Sequence, residues 1–436
     1  MLFEIKSFQD RIAHLYPKVM DLSLGRIENL LKKLGNPQDQ IERVIHIAGT
    51  NGKGSTLTYI SSILSASGYS VDSYTSPHLV NFNERIKIGR IGYQDDIDDD
   101  SLAEILLECE YVNNGDPITI FELITAAAFL KFSKTKSDFL ILETGLGGRL
   151  DATNVVKNPL VSVITPIGID HQHFLGESIE EIAAEKAGII KEKCKTVLSY
   201  QDESILPIFE DVINLQNNMS KIWDKDYIVR DYDKNFTYND EKYQMSLPLP
   251  NLYGRHQIIN AGTAIATIAA IDDIHLTAKS FTAGIKNAEW PARLDLLKFG
   301  PLHRHVNSGN EIWLDGGHNG HAAVAIADSM KLLDDKKLIL IIGMLNTKNC
   351  LEFLDPFKEI TELTIAINIP DSSNSHTPEK IIDDAKTLGI PAIIGTDLHN
   401  ALEHTKKYPE NTSRILICGS LYLAGYVMKI HRGFSE

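Results

Sequence analysis

Cysteine is scarce and scattered. Only Cys109, Cys194, Cys350 and Cys418 occur in 436 residues, and no two form a CxxC pair. That spacing excludes a disulfide scaffold and a zinc knuckle, and leaves reduced thiols acting as small buried hydrophobes in a cytoplasmic protein. Cations are short as well: 43 Lys and Arg face 58 Asp and Glu, a net charge of −15. A general nucleic-acid binder or a protein that lies on an anionic membrane needs the opposite balance, because both partners present phosphate. A small anionic substrate is still allowed, since a local basic pocket can sit on an acidic surface. No apolar run approaches the roughly 18 residues of a membrane span. The N-terminal stretch MLFEIKSFQDRIAHLYPKVM is charged throughout and lacks the apolar segment of a signal peptide. No repeat or low-complexity tract is present, and the one charge run, 95–100 (DDIDDD), reads as a solvated loop.

What remains is an ordinary globular composition, 43% hydrophobic and 23% charged, on a chain long enough for two or three domains. Short β-branched runs alternate with longer helical patterns, the mark of βαβ units around a parallel sheet. The clearest strands are 44–48 (VIHIA), 139–142 (FLIL), 160–164 (LVSVI), 338–342 (LILII) and 414–418 (RILIC); 55–67, 120–132 and 260–271 have the apolar spacing and alanine content of helices packed on a sheet. The segment 200–249 is polar, rich in Asp, Asn and Tyr, and reads as a hairpin or irregular excursion. A second break at 289–310, where WPARL leads to Gly300 and Pro301, puts a domain boundary at 297. The expected fold class is α/β: a larger first domain with a mostly parallel sheet, plus a smaller C-terminal Rossmann-like α/β domain.

Chemistry concentrates in three places. GTNGKGS (49–55) follows the strand VIHIA and opens a helix at Ser55. Glycines let successive amides turn inward, and the helix N-terminus adds positive potential, so the segment is a phosphate cradle. Lys53 is then placed for the β- and γ-phosphates, and the hydroxyl of Ser55 or Thr56 for a phosphate-bound Mg²⁺. The pattern departs from GxxxxGK[ST], with Ile47 in the first glycine position and Gly54 between Lys53 and the hydroxyl. Next comes ILETGLGGRLDATN (141–154), in which Glu143 ends a strand where open α/β sheets bind ligands and suits a Mg²⁺ that bridges phosphates. Arg149 and Asp151 beyond it are candidate contacts for a charged substrate. A third strand, LVSVITPIG, ends at Asp170 and His171, and His171 could ligate a metal or orient a phosphate. The pairs His318/His321 and His171/His173 lack the further nitrogen and sulfur ligands that zinc needs, although the latter would share a face in an extended segment.

The motifs occur in a telling order: GTNGKGS (49–55), TSPHL (75–79), FNERI (82–86), ITIFE (118–122), ETGLGGRLDATN (143–154), ITPIGIDH (164–171), EKAGIIK (185–191), YGRHQIINA (253–261), WPARL (290–294), LDGGHN (314–319), GMLNTK (343–348) and ICGSLYLAG (417–425). In this set the chain resembles folylpolyglutamate synthases and dihydrofolate synthases, Mur ligase superfamily enzymes that form amide bonds at the expense of ATP. The resemblance runs from about residue 20 to the C-terminus and implies a central ATP-binding domain over 1–297 and a C-terminal glutamate-ligase domain over 298–436. It implies an acyl phosphate made by attack of a substrate carboxylate on ATP, which the amine of glutamate then opens. Anions must be brought together, so two Mg²⁺ ions and a lysine are the expected devices. By the same resemblance Ser76 and Glu143 bind one Mg²⁺ and His171 and Glu143 the second. Lys186 corresponds to a lysine carried as a carbamate, which turns a cation into an oxygen ligand. Thr50, Asn51, Gly52, Lys53, Gly54, Ser55 and Thr56 form the phosphate loop. Asn260, Arg293 and Asp315 hold the nucleotide, with Asp315 on the ribose or a phosphate-side group and Arg293 at the domain boundary; His318 and Asn319 face glutamate or phosphate.

The acceptor follows from three further segments. Asp21, Leu22, Ser23 and Leu24 (DLSL), Thr119, Ile120, Phe121 and Glu122 (TIFE), and Leu150, Asp151 and Ala152 (LDA) stand where dihydrofolate-making members contact a pterin; Ser23 departs from the glycine such enzymes often carry. These imply a bifunctional ligase that adds L-glutamate to dihydropteroate and then γ-linked glutamates to reduced folates. The rivals are a folylpolyglutamate synthase alone, a peptidoglycan-precursor ligase, for whose extra N-terminal domain a phosphate loop at residue 49 leaves no room, and a P-loop NTPase switch. A cytoplasmic monomer without nucleic-acid or membrane partners is expected.

Overall fold

Strand Val44–Ala48 is buried on both faces, which is why it reads as an unbroken apolar run and why it sits in the interior of a parallel sheet. The computed structural model describes residues 5–15, 22–274, 276–333 and 335–433; Asp21 lies outside the described residues. The chain divides into two compact units, one made of Met1–Asn251 with Ile258–Ala288, the other of Leu252–Gln257 with Glu289–Glu436.

The first unit is built on β1 (Val44–Ala48), β2 (Val71–Tyr74), β3 (Ile86–Arg90), β4 (Tyr93–Asp96), β5 (Phe139–Glu143), β6 (Val161–Ile164), β7 (Lys195–Leu198) and β8 (Met219–Ile222). Their order across the sheet is β4-β3-β2-β5-β1-β6-β7-β8. All neighbours are parallel except the β2–β3–β4 edge, which is antiparallel. Because β2, β5, β1 and β6 are parallel neighbours, the loops that leave their carboxyl ends emerge at one edge. Those loops carry TSPHL, ETGLGGR, GTNGKGS and TPIGIDH, so four motifs far apart in sequence meet at a single rim. Helices Gly25–Lys33, Asp99–Asn113 and Ile120–Thr135 pack one core with Val44, Leu140 and Leu142, while Ile179–Ala187 and Leu206–Leu215 close a second with Ile164, Leu198 and Ile222. Helix Lys53–Ala66 meets helix Ala278–Asn287 at Gly284, where a Cβ would lie 2.5 Å from Ile63 Cα, so only glycine permits the crossing.

Four sequence expectations change here. The helix after the phosphate loop begins at Lys53, two positions before Ser55, because Gly52 adopts φ +84° and closes the turn early. The acidic run 95–100 is not a loop: Asp95 and Asp96 end β4, and Asp98 caps helix Asp99–Asn113 by accepting from Ser101 N at 2.8 Å. Acidic residues in a first helical turn complement its partial positive charge. The excursion 200–249 does hold hairpins, in an antiparallel meander of β9 (Ile228–Asp231), β10 (Asn235–Asn239) and β11 (Gln244–Pro248), but it also holds helix Leu206–Leu215 and the sheet strand β8. Finally, β6 stops at Ile164, so Asp170 and His171 stand in the loop beyond it, and Gln172–Leu175 is helical, which takes His173 off an extended course.

The second unit contains β12 (Asp295–Leu296), β13 (Glu311–Leu314), β14 (Lys337–Ile342), β15 (Thr361–Ala366), β16 (Ala392–Ile394) and β17 (Ser413–Cys418), in the order β12-β13-β17-β14-β15-β16. Only β12 runs antiparallel, so LDGGHN, GMLNTK and ICGSLYLAG leave β13, β14 and β17 at one rim. Its core is formed by Ile326, Met330, Leu340, Phe353, Phe357 and Leu416 among others. All four cysteines are buried free thiols, and burial pushes Cys109 and Cys350 up to about 12.

Candidate active site

The loop between β1 and helix Lys53–Ala66 is fixed by two glycines and by stitches to the loop after β6. At Gly49 (φ +156°) a side chain would collide with Thr165 Oγ1, and at Gly52 (φ +84°) with Asn260 Oδ1. The Thr50 and Asn51 amides both donate to Pro166 O, at 3.1 and 3.2 Å, and the Thr50 hydroxyl donates to Gly168 O and accepts from Gly168 N. Those two amides are therefore engaged. The inward donors of the cradle are the amides of Lys53, Gly54 and Ser55, which precede the first intrahelical bond, from Thr56 N to Gly52 O at 2.8 Å. Asn260 is buried in helix His256–Ala269 with its side chain against Gly52.

Two lysines converge on one carbonyl. Lys53 Nζ donates to Gly49 O at 3.1 Å and to Thr50 O at 3.3 Å, and Lys186 Nζ donates to the same Gly49 O at 2.8 Å. Glu143 closes the group, buried at the end of β5 with Oε1 4.0 Å from Lys53 Nζ. Lys186 comes from helix Ile179–Ala187, whose start is set by a reciprocal Ser178–Glu181 capping pair. Burial, then the neighbouring Lys53 charge, lowers Lys186 to about 7. Gly148 lies against the Lys186 backbone, where a Cβ would stand 2.9 Å from Lys186 Cα.

Hydroxyls face the same rim. The buried side-chain oxygens of Ser76, Thr56 and Thr144 have no hydrogen-bond partner among the described residues. An orphaned hydroxyl oxygen near a buried carboxylate fits a hard divalent cation, which prefers oxygen ligands and takes the rest from phosphate and water. No group of three or more His, Cys, Asp or Glu among the described residues could by itself hold a metal ion. A cation here depends on its phosphate ligand. His171 is 38% exposed, with φ +53°; its amide donates to Asp170 Oδ1 at 2.8 Å and its Nε2 lies 3.9 Å from that carboxylate.

The segments expected to contact the acceptor are mutually braced. Thr119 and Glu122 form a reciprocal capping pair at the start of helix Ile120–Thr135, and Arg26 grips Glu122 in a two-pronged pair with nitrogen–oxygen distances of 2.9–3.1 Å. Arg26 stands just beyond Leu22, Ser23 and Leu24, so this pair ties the chain after those three residues to TIFE; sequence spacing gives no sign of it, the partners being 96 residues apart. Ile120 and Phe121 are partly buried, and the Phe121 ring fills the space where Gly145 would carry a side chain. Leu150 is half-buried, Ala152 buried, and Asp151 is 2% exposed. Arg149 turns to Glu185 at 2.7 Å instead of joining the phosphate loop.

In the second unit Asp315 follows β13 and receives Leu294 N at 2.7 Å and Gly317 N at 2.6 Å. Burial pushes its carboxyl up, opposed by the Arg293 charge. Gly316 N donates to Ala292 O at 3.0 Å. WPARL is thus clamped from both sides of Arg293, whose neighbours Ala292 and Leu294 take φ +58° and +44°. The backbone carries strain of about 1–3 kcal/mol per such residue on either side of the arginine. His318 Nδ1 lies 3.0 Å from Gly316 O, and Asn319 caps helix Gly320–Lys331 by accepting from Ala322 N.

Comparison with known proteins adds relatives over the whole chain. Residues 47–268 match the Mur ligase middle domain, and residues 297–430 the dihydrofolate synthetase C-terminal domain. A dihydrofolate synthase/folylpolyglutamate synthase of Bacillus subtilis is 38% identical, covering 93% of this chain and 94% of its own. A dihydrofolate synthetase of Saccharomyces cerevisiae is 34% identical over 94% and 98%. E. coli FolC, solved in complex with DHPP and ADP, superposes with a TM-score of 0.87 at 28% identity, covering 98% of this chain and 97% of its own. A bifunctional folylpolyglutamate synthase/dihydrofolate synthase with Mn, AMPPNP and L-glutamate bound gives 0.84 at 25% identity, over 98% and 97%.

Proposed function

The chain belongs to the dihydrofolate synthase/folylpolyglutamate synthase family of Mur-type ligases, and from that premise we propose that it joins L-glutamate to dihydropteroate and extends reduced folates with γ-linked glutamate, using ATP. The observation that carries this reading is the gathering of Lys53, Lys186 and Glu143 at the phosphate loop, with the braced DLSL and TIFE segments in the same unit. An acceptor carboxylate oxygen attacks the γ-phosphorus of ATP and ADP departs. The amine of glutamate then attacks the acyl carbon, loses a proton, and expels phosphate as the amide forms. Lys53 neutralises the β- and γ-phosphates while charge moves to the leaving oxygen, and the amides of residues 53–55 hold the nucleotide at the helix N-terminus. A divalent cation, held by Ser76 Oγ and Glu143 with His171 at a second position, supplies further charge neutralisation when bound. Arg293 and Asp315 are the proposed nucleotide contacts of the second unit, and His318 and Asn319 those for glutamate. We place the reaction in the cytoplasm; no helix of the described residues is long and apolar enough to cross a membrane.

ADP release, measured with dihydropteroate and separately with a reduced folate, each with L-glutamate, tests the reading. Both acceptors are expected to give glutamate-dependent turnover. Activity on the folate alone leaves a folylpolyglutamate synthase, and full turnover without glutamate replaces the ligase by an NTPase.

Lys186 is the proposed carbamate. A lysine that titrates near 7 is largely the free amine at pH 8, whereas an ordinary lysine reaches that form only above about 10.4. The neutral nitrogen adds to the carbon of CO₂, forming an N–C bond and releasing one proton. Removal of CO₂ and bicarbonate at pH 8 is therefore expected to slow turnover, with recovery when bicarbonate is restored, and Lys186→Ala should not recover. Equal rates for the wild type in CO₂-free and bicarbonate-loaded buffer would count against the carbamate.

A further inference from the structure

His46 sits in the middle of β1, fully buried between Leu142 and Ser162 of the flanking strands. Its neighbours Ile45 and Ile47 show what an interior strand position ordinarily holds. A histidine there brings two polar nitrogens into the core. Nε2 finds Thr153 Oγ1 at 2.8 Å, while Nδ1 has no partner among the described residues. Thr153 Oγ1 in turn lies 2.5 Å from Asp151 Oδ1, which also accepts from Thr153 N at 2.9 Å. The other oxygen, Oδ2, accepts from Leu146 N at 2.8 Å.

The proton count orients the chain. A carboxylate only accepts, and Thr153 has one hydroxyl proton, so Thr153 donates to Asp151 and must accept from His46. His46 is then neutral with its proton on Nε2, which agrees with burial holding it down to about 3. Donation runs from the strand that feeds the phosphate loop through Thr153 to Asp151, and the Leu146 amide donates to Asp151 from the other side. Gly145 is the residue against which the Phe121 ring rests.

We infer that His46 and Thr153 are positioning residues for the acceptor: with Asp151 they hold the 145–148 loop against Phe121 and so couple the nucleotide strand to the pterin side of the site. The inference rests on the proposed acceptor reading of residues 119–122 and 150–152. It differs from a general core role, because the polar chain leaves the strand at His46 and ends at the 145–148 loop beside Phe121.

Thr153→Val removes donor and acceptor at nearly constant shape, and is expected to raise the KM for dihydropteroate about tenfold with the KM for ATP and for glutamate changed less than about twofold. Thr153→Ser keeps the hydroxyl and is expected to restore the wild-type value. His46→Gln, which can still donate to Thr153, should stay near wild type where His46→Leu does not, and this pair serves if Thr153→Val folds poorly. Nitrogen-15 NMR of the histidine rings supplies a readout independent of catalysis: His46 should carry its proton on Nε2. A proton on Nδ1, or KM values for all three substrates that rise together, overturns the inference. A wild type inert towards both acceptors overturns the functional reading instead, while the NMR measurement still decides the hydrogen-bond chain.

Discussion

Lys53→Met is expected to lower kcat by about 10²–10³-fold, with an unfolding midpoint within a few degrees of wild type. A lysine at the first position of a helix is electrostatically misplaced, because the helix N-terminus already carries partial positive charge. Its bonds to the Gly49 and Thr50 carbonyls are local and partly exposed, so losing them costs little stability. An anion received by the loop, as proposed, would account for the side chain. Steady-state ADP release with saturating acceptor and glutamate checks this, alongside a thermal melt; turnover above about a tenth of wild type would falsify the assignment.

Glu143→Gln is expected to reduce kcat by about 10³-fold and to raise the Mg²⁺ concentration needed for half-maximal rate by at least about tenfold. The substitution preserves shape and removes only the charge, so a packing role predicts no effect. A carboxylate that is 7% exposed is costly to bury without a cation, and Lys53 at 4.0 Å supplies one positive charge beside it, which a bound divalent cation would reinforce. Folding is expected to persist, since an amide is easier to bury than a carboxylate. A magnesium titration of the variant that overlays that of wild type would remove Glu143 from the metal's ligands.

Much of this architecture is legible in the residues. Runs such as VIHIA and FLIL announce strands because both faces are buried, and a continuous apolar run is how a central parallel strand must look. The meander of 228–248 is harder to read. Its strands are short, and in β10 only Phe236 and Tyr238 turn inward among polar neighbours, so the alternation is too brief to stand out. The helix behind the acidic run was open to inspection, since Asp98 followed by Asp99 and Asp100 is a favourable helix start; composition alone suggested a loop. Site geometry divides along another line. The motif order names Lys53, Glu143 and Lys186, but the meeting of the two lysines on Gly49 O, with Glu143 beside Lys53, depends on sheet order, which no local pattern encodes. The Arg26–Glu122 and His46–Thr153 bonds join residues 96 and 107 positions apart, and neither partner has a neighbour that advertises the other.

The turn that presents Arg293 has a consequence for how this protein could be improved. Ala292 and Leu294 both hold left-handed backbone in buried positions, so each forgoes stability that another residue type would recover. Glycine at 292 would relax that tension and, by the same freedom, release the arginine from its set direction. With Arg293 as the proposed nucleotide contact, robustness and reactivity are opposed at this one turn, and selection for heat resistance alone is expected to drift toward a sturdier, slower enzyme.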